Sequence, residues 1–257
     1  MATSKEEWYN RRIKEGFFIF DKGEFPALTD TSYDPLVFTL VNSAYSSNPS
    51  RFFEILEPHI YFDNQKKDFK IDSRNIDQLK KDISSDMPLK GLQIFEMESK
   101  EAGHLEFFRS LGAEIDSNSS TKINEFNGGR ITLNNYQNTF KYKQFDITLS
   151  NGLLNNDSYI KYNNMSGNLC GLELYAIFAN LTKKGGCSIH INGSMITSLF
   201  ITFFQLVGMQ TIEYSRHSDG DIKFMIIMKK INNKLTSYEE FSTIYAELKK
   251  RNPIRYI

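Results

Sequence analysis

The chain has 257 residues, with 31 lysines and arginines against 31 aspartates and glutamates, so its formal net charge is zero. It therefore lacks the electrostatic footprint from which nucleic-acid binders draw most of their affinity, and no nucleic-acid partner is expected. Cys170 and Cys187 form neither a disulfide framework nor a metal-ligand spacing, no apolar run reaches membrane-spanning length, and the polar, acidic start at residues 1–8 is unlike a secretory signal. A cytoplasmic location with no membrane partner and no metal is expected. The length suits one large α/β domain with helical decoration.

In chain order, residues 1–88 are mixed and rich in aromatics. Ser4 followed by Glu7 has the spacing of a capping box and predicts a helix from Ser4 to about Gly16. Two short amphipathic helices are predicted over Pro35–Tyr45 and Arg51–Leu56, parted by the turn cluster Ser46-Ser47-Asn48-Pro49-Ser50. Ile60-Tyr61-Phe62 reads equally as a strand or a loop, and Ile76, Leu79 and Ile83 have helical spacing.

Residues 89–230 alternate. Strand-like runs lie at Leu92–Glu96, Ala113–Ile115, Arg130–Leu133, Phe145–Ser150, Cys187–Ile191, Thr211–Ser215 and Lys223–Met228. Helix-like runs lie at Gly103–Leu111, Leu172–Leu181 and Met195–Val207, with Gly112 and Gly208 placed where left-handed caps want glycine. This order predicts a mostly parallel seven-stranded sheet with helices on both faces. The last two strands are joined by Arg216–Asp221, too short for a helical crossover, so the sheet should end in an antiparallel hairpin. Residues 231–257 predict a closing helix, capped by Ser237 with Glu240 and striped by Phe241, Ile244, Tyr245 and Leu248.

Three stretches carry a family resemblance. Phe107–Ile115 is similar to a first helix running into a second strand. Phe145–Gly152 is similar to a fourth strand and its active-site edge, and Leu181–Ile189 to a helix, Gly-Gly turn and fifth strand. In this order, over roughly residues 90–230, they resemble the class I S-adenosylmethionine-dependent methyltransferases. The resemblance implies a Rossmann-like α/β fold, S-adenosylmethionine as cofactor, and residues 1–88 as a helical cap or lid over a small-molecule substrate. It departs from the family at the first loop. Glu96 takes the acid that ends the first strand and Gly103 the last glycine before the helix, but Met97-Glu98-Ser99-Lys100-Glu101-Ala102 stands where small residues belong.

The cofactor-binding residues implied are Glu96, Glu98, Gly103, Asp116, Asn134, Asn135 and Asn151. Asp116 would meet ribose hydroxyls, with Ser119 the alternative for that place. Asn134 and Asn135 would meet adenine, although asparagine also suits an ordinary turn. Asn151 ends the fourth strand, where open α/β sheets bind ligands. His190, near the end of the fifth strand, is the candidate base; it also reads as a hydrogen-bonded core residue. His217 falls in the predicted hairpin loop, His104 adjoins the first loop, and His59 has no evident partner. Two readings follow: an enzyme acting on a small molecule, or a methyltransferase-like protein that has lost cofactor binding and serves as a binding or scaffolding partner, alone or in an oligomer.

Overall fold

Ser4 and Glu7 close the capping box that their spacing predicts. The Ser4 hydroxyl accepts the Glu7 amide at 3.1 Å, and the Glu7 carboxylate accepts the Ser4 amide at 2.8 Å, which starts helix α1 (Lys5–Lys14). The computed structural model describes residues 4–14, 34–97, 103–118, 132–151, 168–192, 198–219 and 221–251. The chain divides into two units, Met1–Gly91 with Glu101–Glu114, and Leu92–Lys100 with Ile115–Ile257.

In the first unit, α2 (Asp34–Tyr45) and α3 (Pro49–Leu56) occupy the two predicted helical stretches. Pro49 sits in the first turn of α3, where its missing N–H costs nothing, and the Asn48 side chain accepts the Arg51 amide. Tyr45 stacks on Phe52 with ring centroids 4.3 Å apart, and its hydroxyl donates to Asp86. The ambiguous stretch at Ile60 is a strand: β1 (Ile60–Asp63) pairs antiparallel with β2 (Asp68–Ile71). Helix α4 (Ile76–Asp86) buries Leu79 and Ile83. It also supplies the partner that the sequence does not reveal for His59, whose Nε2 lies 2.8 Å from Asp82. Helix α5 (Gly103–Ser110) is followed by Gly112 at φ +93°, the left-handed cap expected there.

The second unit holds six strands: β3 (Gln93–Met97), β4 (Glu114–Asn118), β5 (Phe145–Asn151), β6 (Thr182–Asn192), β7 (Met209–Asp219) and β8 (Asp221–Lys230). Their order is β4-β3-β5-β6-β8-β7. β5 runs parallel to β3 and β6, while β8 is antiparallel to both β6 and β7. The sheet is thus Rossmann-like and mixed, with six strands among the described residues where seven mostly parallel ones are expected. Of the strand predicted over Arg130–Leu133, the first half lies outside the described residues; Thr132 and Leu133 lead by a turn into the short helix α6 (Tyr136–Phe140). The terminal hairpin is present and longer than predicted. Arg216 pairs with Phe224 and His217 with Lys223, so the predicted loop is ladder and His217 is a strand residue.

β6 also starts earlier than expected. Thr182 pairs with Phe145 but Cys187 with Ile147, so β6 spends five residues where β5 spends two. The surplus is a bulge containing the Gly185-Gly186 pair rather than a turn before the strand. Gly185 has φ +85°, and a Cβ on Gly186 would lie 2.5 Å from the Asp146 carbonyl oxygen, so each glycine is required for its own reason.

Helices α6, α7 (Asn168–Leu181), α8 (Ser198–Leu206) and α9 (Tyr238–Arg251) share one core with the sheet. At its centre Phe95 meets Phe140 edge-on and stacks on Phe145, each at 5.1 Å. Burying one such ring contributes about 2–3 kcal/mol. Phe241, Ile244 and Leu248 turn the predicted stripe of α9 into this core. The C-terminal carbonyls of α8 are met by two lysines: Lys230 Nζ donates to the Val207 carbonyl and Lys234 Nζ to that of Leu206. Burial, reinforced by the charge of Lys234, pushes the Lys230 amine down to about 8. Among the described residues no helix is long and apolar enough to cross a membrane.

Candidate functional site

From β3 the chain passes through α5 to β4 on one side of β3, then returns to β5 on the other. This reversal is a topological switch point, and open α/β sheets bind ligands outside the carboxyl ends of the strands that flank it. Here those ends are juxtaposed by register: Glu96 pairs with Leu149, Met97 with Ser150, and on the next strand Ser150 with His190 and Asn151 with Ile191. Of the residues singled out from sequence, Glu96 and Asn151 stand on this edge. Glu96 is buried at 1 % exposure, a carboxylate one residue from the end of β3.

The other candidates are placed differently. Glu98 lies outside the described residues. Gly103 opens α5, as expected of the last glycine of a strand-to-helix loop. β4 runs on to Asn118, which leaves Asp116 inside the strand rather than just after it; its carboxylate pairs with Lys143 at 2.9 Å. Ser119, the alternative, lies outside the described residues. Asn134 is exposed, and Asn135 performs turn chemistry, its side-chain oxygen accepting the Thr132 amide at 2.7 Å before α6 begins.

His190 is in the core. Its Nδ1 lies 2.7 Å from the Ser150 hydroxyl and its Nε2 2.8 Å from the Ser188 hydroxyl. Tyr175 and Phe178 of α7 meet the imidazole edge-on at 4.6 and 4.9 Å, and Phe204 of α8 lies parallel to it. Burial in this aromatic box pushes its pKa down to about 3. With both nitrogens engaged and no exposed surface, the ring has the surroundings of a neutral hydrogen-bonding core residue, not of a base open to substrate.

The polar chain continues past the histidine. Ser188 is 2.7 Å from Thr148, Thr148 is 2.9 Å from Thr182, and Thr182 donates to the Phe178 carbonyl at the end of α7. Thr148, Ser150 and Ser188 carry no signal of their own in the sequence, since single hydroxyls within an apolar strand have no diagnostic spacing; all three are buried. Glu173 was missed too: it is buried on α7, and its carboxylate accepts the Leu133 amide at 3.0 Å across forty residues of sequence. Among the described residues no group of His, Cys, Asp and Glu could hold a metal ion.

No protein-family model matches the chain, and no curated protein matches it in sequence. Solved structures of similar outline are described as methyltransferases. One from Streptococcus mutans, described as SAM-dependent, has 12 % identity and a TM-score of 0.38, over 60 % of this chain and 49 % of that one. The chain thus spans about half the length of that protein. An O-methyltransferase family protein from Burkholderia thailandensis gives 12 % identity and a TM-score of 0.38, over 88 % and 83 %. A third, from Streptococcus pneumoniae and described as a tRNA (m1A22) methyltransferase, gives 12 % and 0.36, over 67 % and 78 %.

Proposed function

We propose that this chain binds S-adenosylmethionine at the carboxyl edge of β3 and β5 and transfers its methyl group, acting on a small molecule in the cytoplasm. The observation that carries the reading is the switch point itself, with a buried carboxylate, Glu96, beside it and an antiparallel hairpin closing the sheet. The side chains suit that cofactor chemically. A carboxylate and a hydroxyl are matched to a ligand that carries an ammonium, a sulfonium and ribose hydroxyls. When bound, the cofactor supplies an electrophilic methyl group on a positively charged sulfur.

This chain's own contribution would be to orient and exclude water. Glu96 holds the cationic end of the ligand, and the backbone of Asn151 borders the acceptor. In-line placement of an acceptor is itself a large part of such catalysis. The small-molecule preference rests on zero net charge and on the aromatic content of residues 1–88. The test is calorimetric titration of the full chain with S-adenosylmethionine, beside Glu96→Gln. Micromolar binding, weakened at least tenfold in the variant, is expected. No binding at millimolar ligand sinks the proposal in favour of a scaffolding protein. Methylation of bulk tRNA or rRNA by the purified protein would replace the small-molecule assignment with RNA.

A further inference from the structure

Four side chains on β5 and β6 form a buried line, Thr148, Ser188, His190 and Ser150, and Thr182 flanks it 2.9 Å from Thr148 with its own hydrogen given to the Phe178 carbonyl. The pairing of the two parallel strands makes this possible, since Thr148 is opposite Ser188 and Ser150 opposite His190, all on one face. A hydroxyl has one hydrogen to give, so the line has a direction. Thr148 donates to Ser188. Ser188 accepts there, so its own hydrogen is available to Nε2; in the neutral Nδ1–H tautomer the imidazole takes that hydrogen bond and donates onward to Ser150. Ser150 accepts there and keeps its own hydrogen. It stands one residue from the end of β5, in register with the last residue of β3, and is 3 % exposed.

Resting on the cofactor reading above, we infer that Ser150 is a ligand-binding residue that donates its hydroxyl hydrogen to an oxygen of the bound molecule, and that His190 is its positioning residue. Four donors in series polarise the last of them, so a hydroxyl fed by this line is a stronger donor than an isolated serine. The far end of the line is the Thr148 hydroxyl, which neither supplies nor consumes a proton at ordinary pH. The line thus orients a hydrogen bond; it does not shuttle a base. This accounts for a histidine kept neutral and out of solvent beside the strand end.

The test uses the full chain labelled with ¹⁵N-histidine, with S-adenosylhomocysteine as the probe. Without ligand, His190 should show the Nδ1–H tautomer; an Nε2–H signature overturns the inference whether or not any ligand binds. Saturating probe should shift the His190 ring resonances, and an unchanged ring at saturation also overturns it. By calorimetry, Ser150→Ala should bind the probe at least fivefold more weakly with little change in Tm. Thr182→Val, whose hydroxyl gives its hydrogen to the Phe178 carbonyl and feeds nothing in the series, should lower Tm and leave affinity within twofold. Equal loss in both variants would mean general disruption of the strand and would sink the inference, as would wild-type affinity in Ser150→Ala. Failure of the wild-type protein to bind is a distinct result, which removes the cofactor reading and the inference together.

Discussion

The two ends of β5 are built from opposite chemistries. At the amino end, Asp146 accepts the Gln93 amide at 2.9 Å and holds Lys183 through both carboxylate oxygens, with Gly186 packed against its carbonyl. At the carboxyl end two residues of hydroxyl chemistry lead, uncharged, to Ser150 and a neutral histidine. Charge sits where the sheet meets solvent and serves to fasten three strands in register. Along the buried part of β5 the side chains are neutral and polar, because an unpaired buried charge would cost far more than a hydrogen-bonded hydroxyl.

The hardest break is steric. Gly186→Ala forces a methyl into the Asp146 carbonyl, and a loss of about 3 kcal/mol is expected, at the upper end of overpacking costs, read as the urea midpoint. The carboxyl end should fail with acid. His190 has a folded pKa near 3 against 6.5 unfolded, so below pH 6.5 the unfolded chain binds the extra proton. Its contribution is complete above pH 6.5 and is lost as pH falls toward 3, amounting to roughly 3 kcal/mol between pH 6.5 and 4. Urea midpoints measured across that range should fall less steeply in His190→Gln; an unchanged slope would show that the imidazole titrates as an exposed one. Smallest is the effect of Asp146→Asn, which keeps an acceptor for the Gln93 amide but loses the partly exposed pair with Lys183. It should cost about 1 kcal/mol or less, diminishing further in 0.5 M salt, which Tm in low and high salt will check.

Most of the alternation was legible because it depends on local rules. The Ser4 box, the glycine after α5 and the closing hairpin each follow from a few adjacent residues. The early start of β6 at Thr182 was not legible, since Gly185-Gly186 signals a turn and only the offset against β5 shows pairing before it. His217 was assigned to a loop because Arg216–Asp221 is polar, although edge strands tolerate polar residues on both sides. Glu96 and Asn151 were readable as strand ends. The His59–Asp82 and Leu133–Glu173 bonds were not, as partners 23 and 40 residues apart leave no periodic trace. Nor was the line through His190, whose members meet only through the register of β5 against β6.

The position of β8 has a consequence for how the chain is made. β8 lies between β6 and β7 in the sheet, although it follows both in sequence. As the polypeptide leaves the ribosome, β6 and β7 emerge with no direct pairing between them, and β6 presents an open apolar edge until residues 221–230 arrive. Synthesis that halts before that point leaves a sticky half-sheet, and residues 221–230 are what close it.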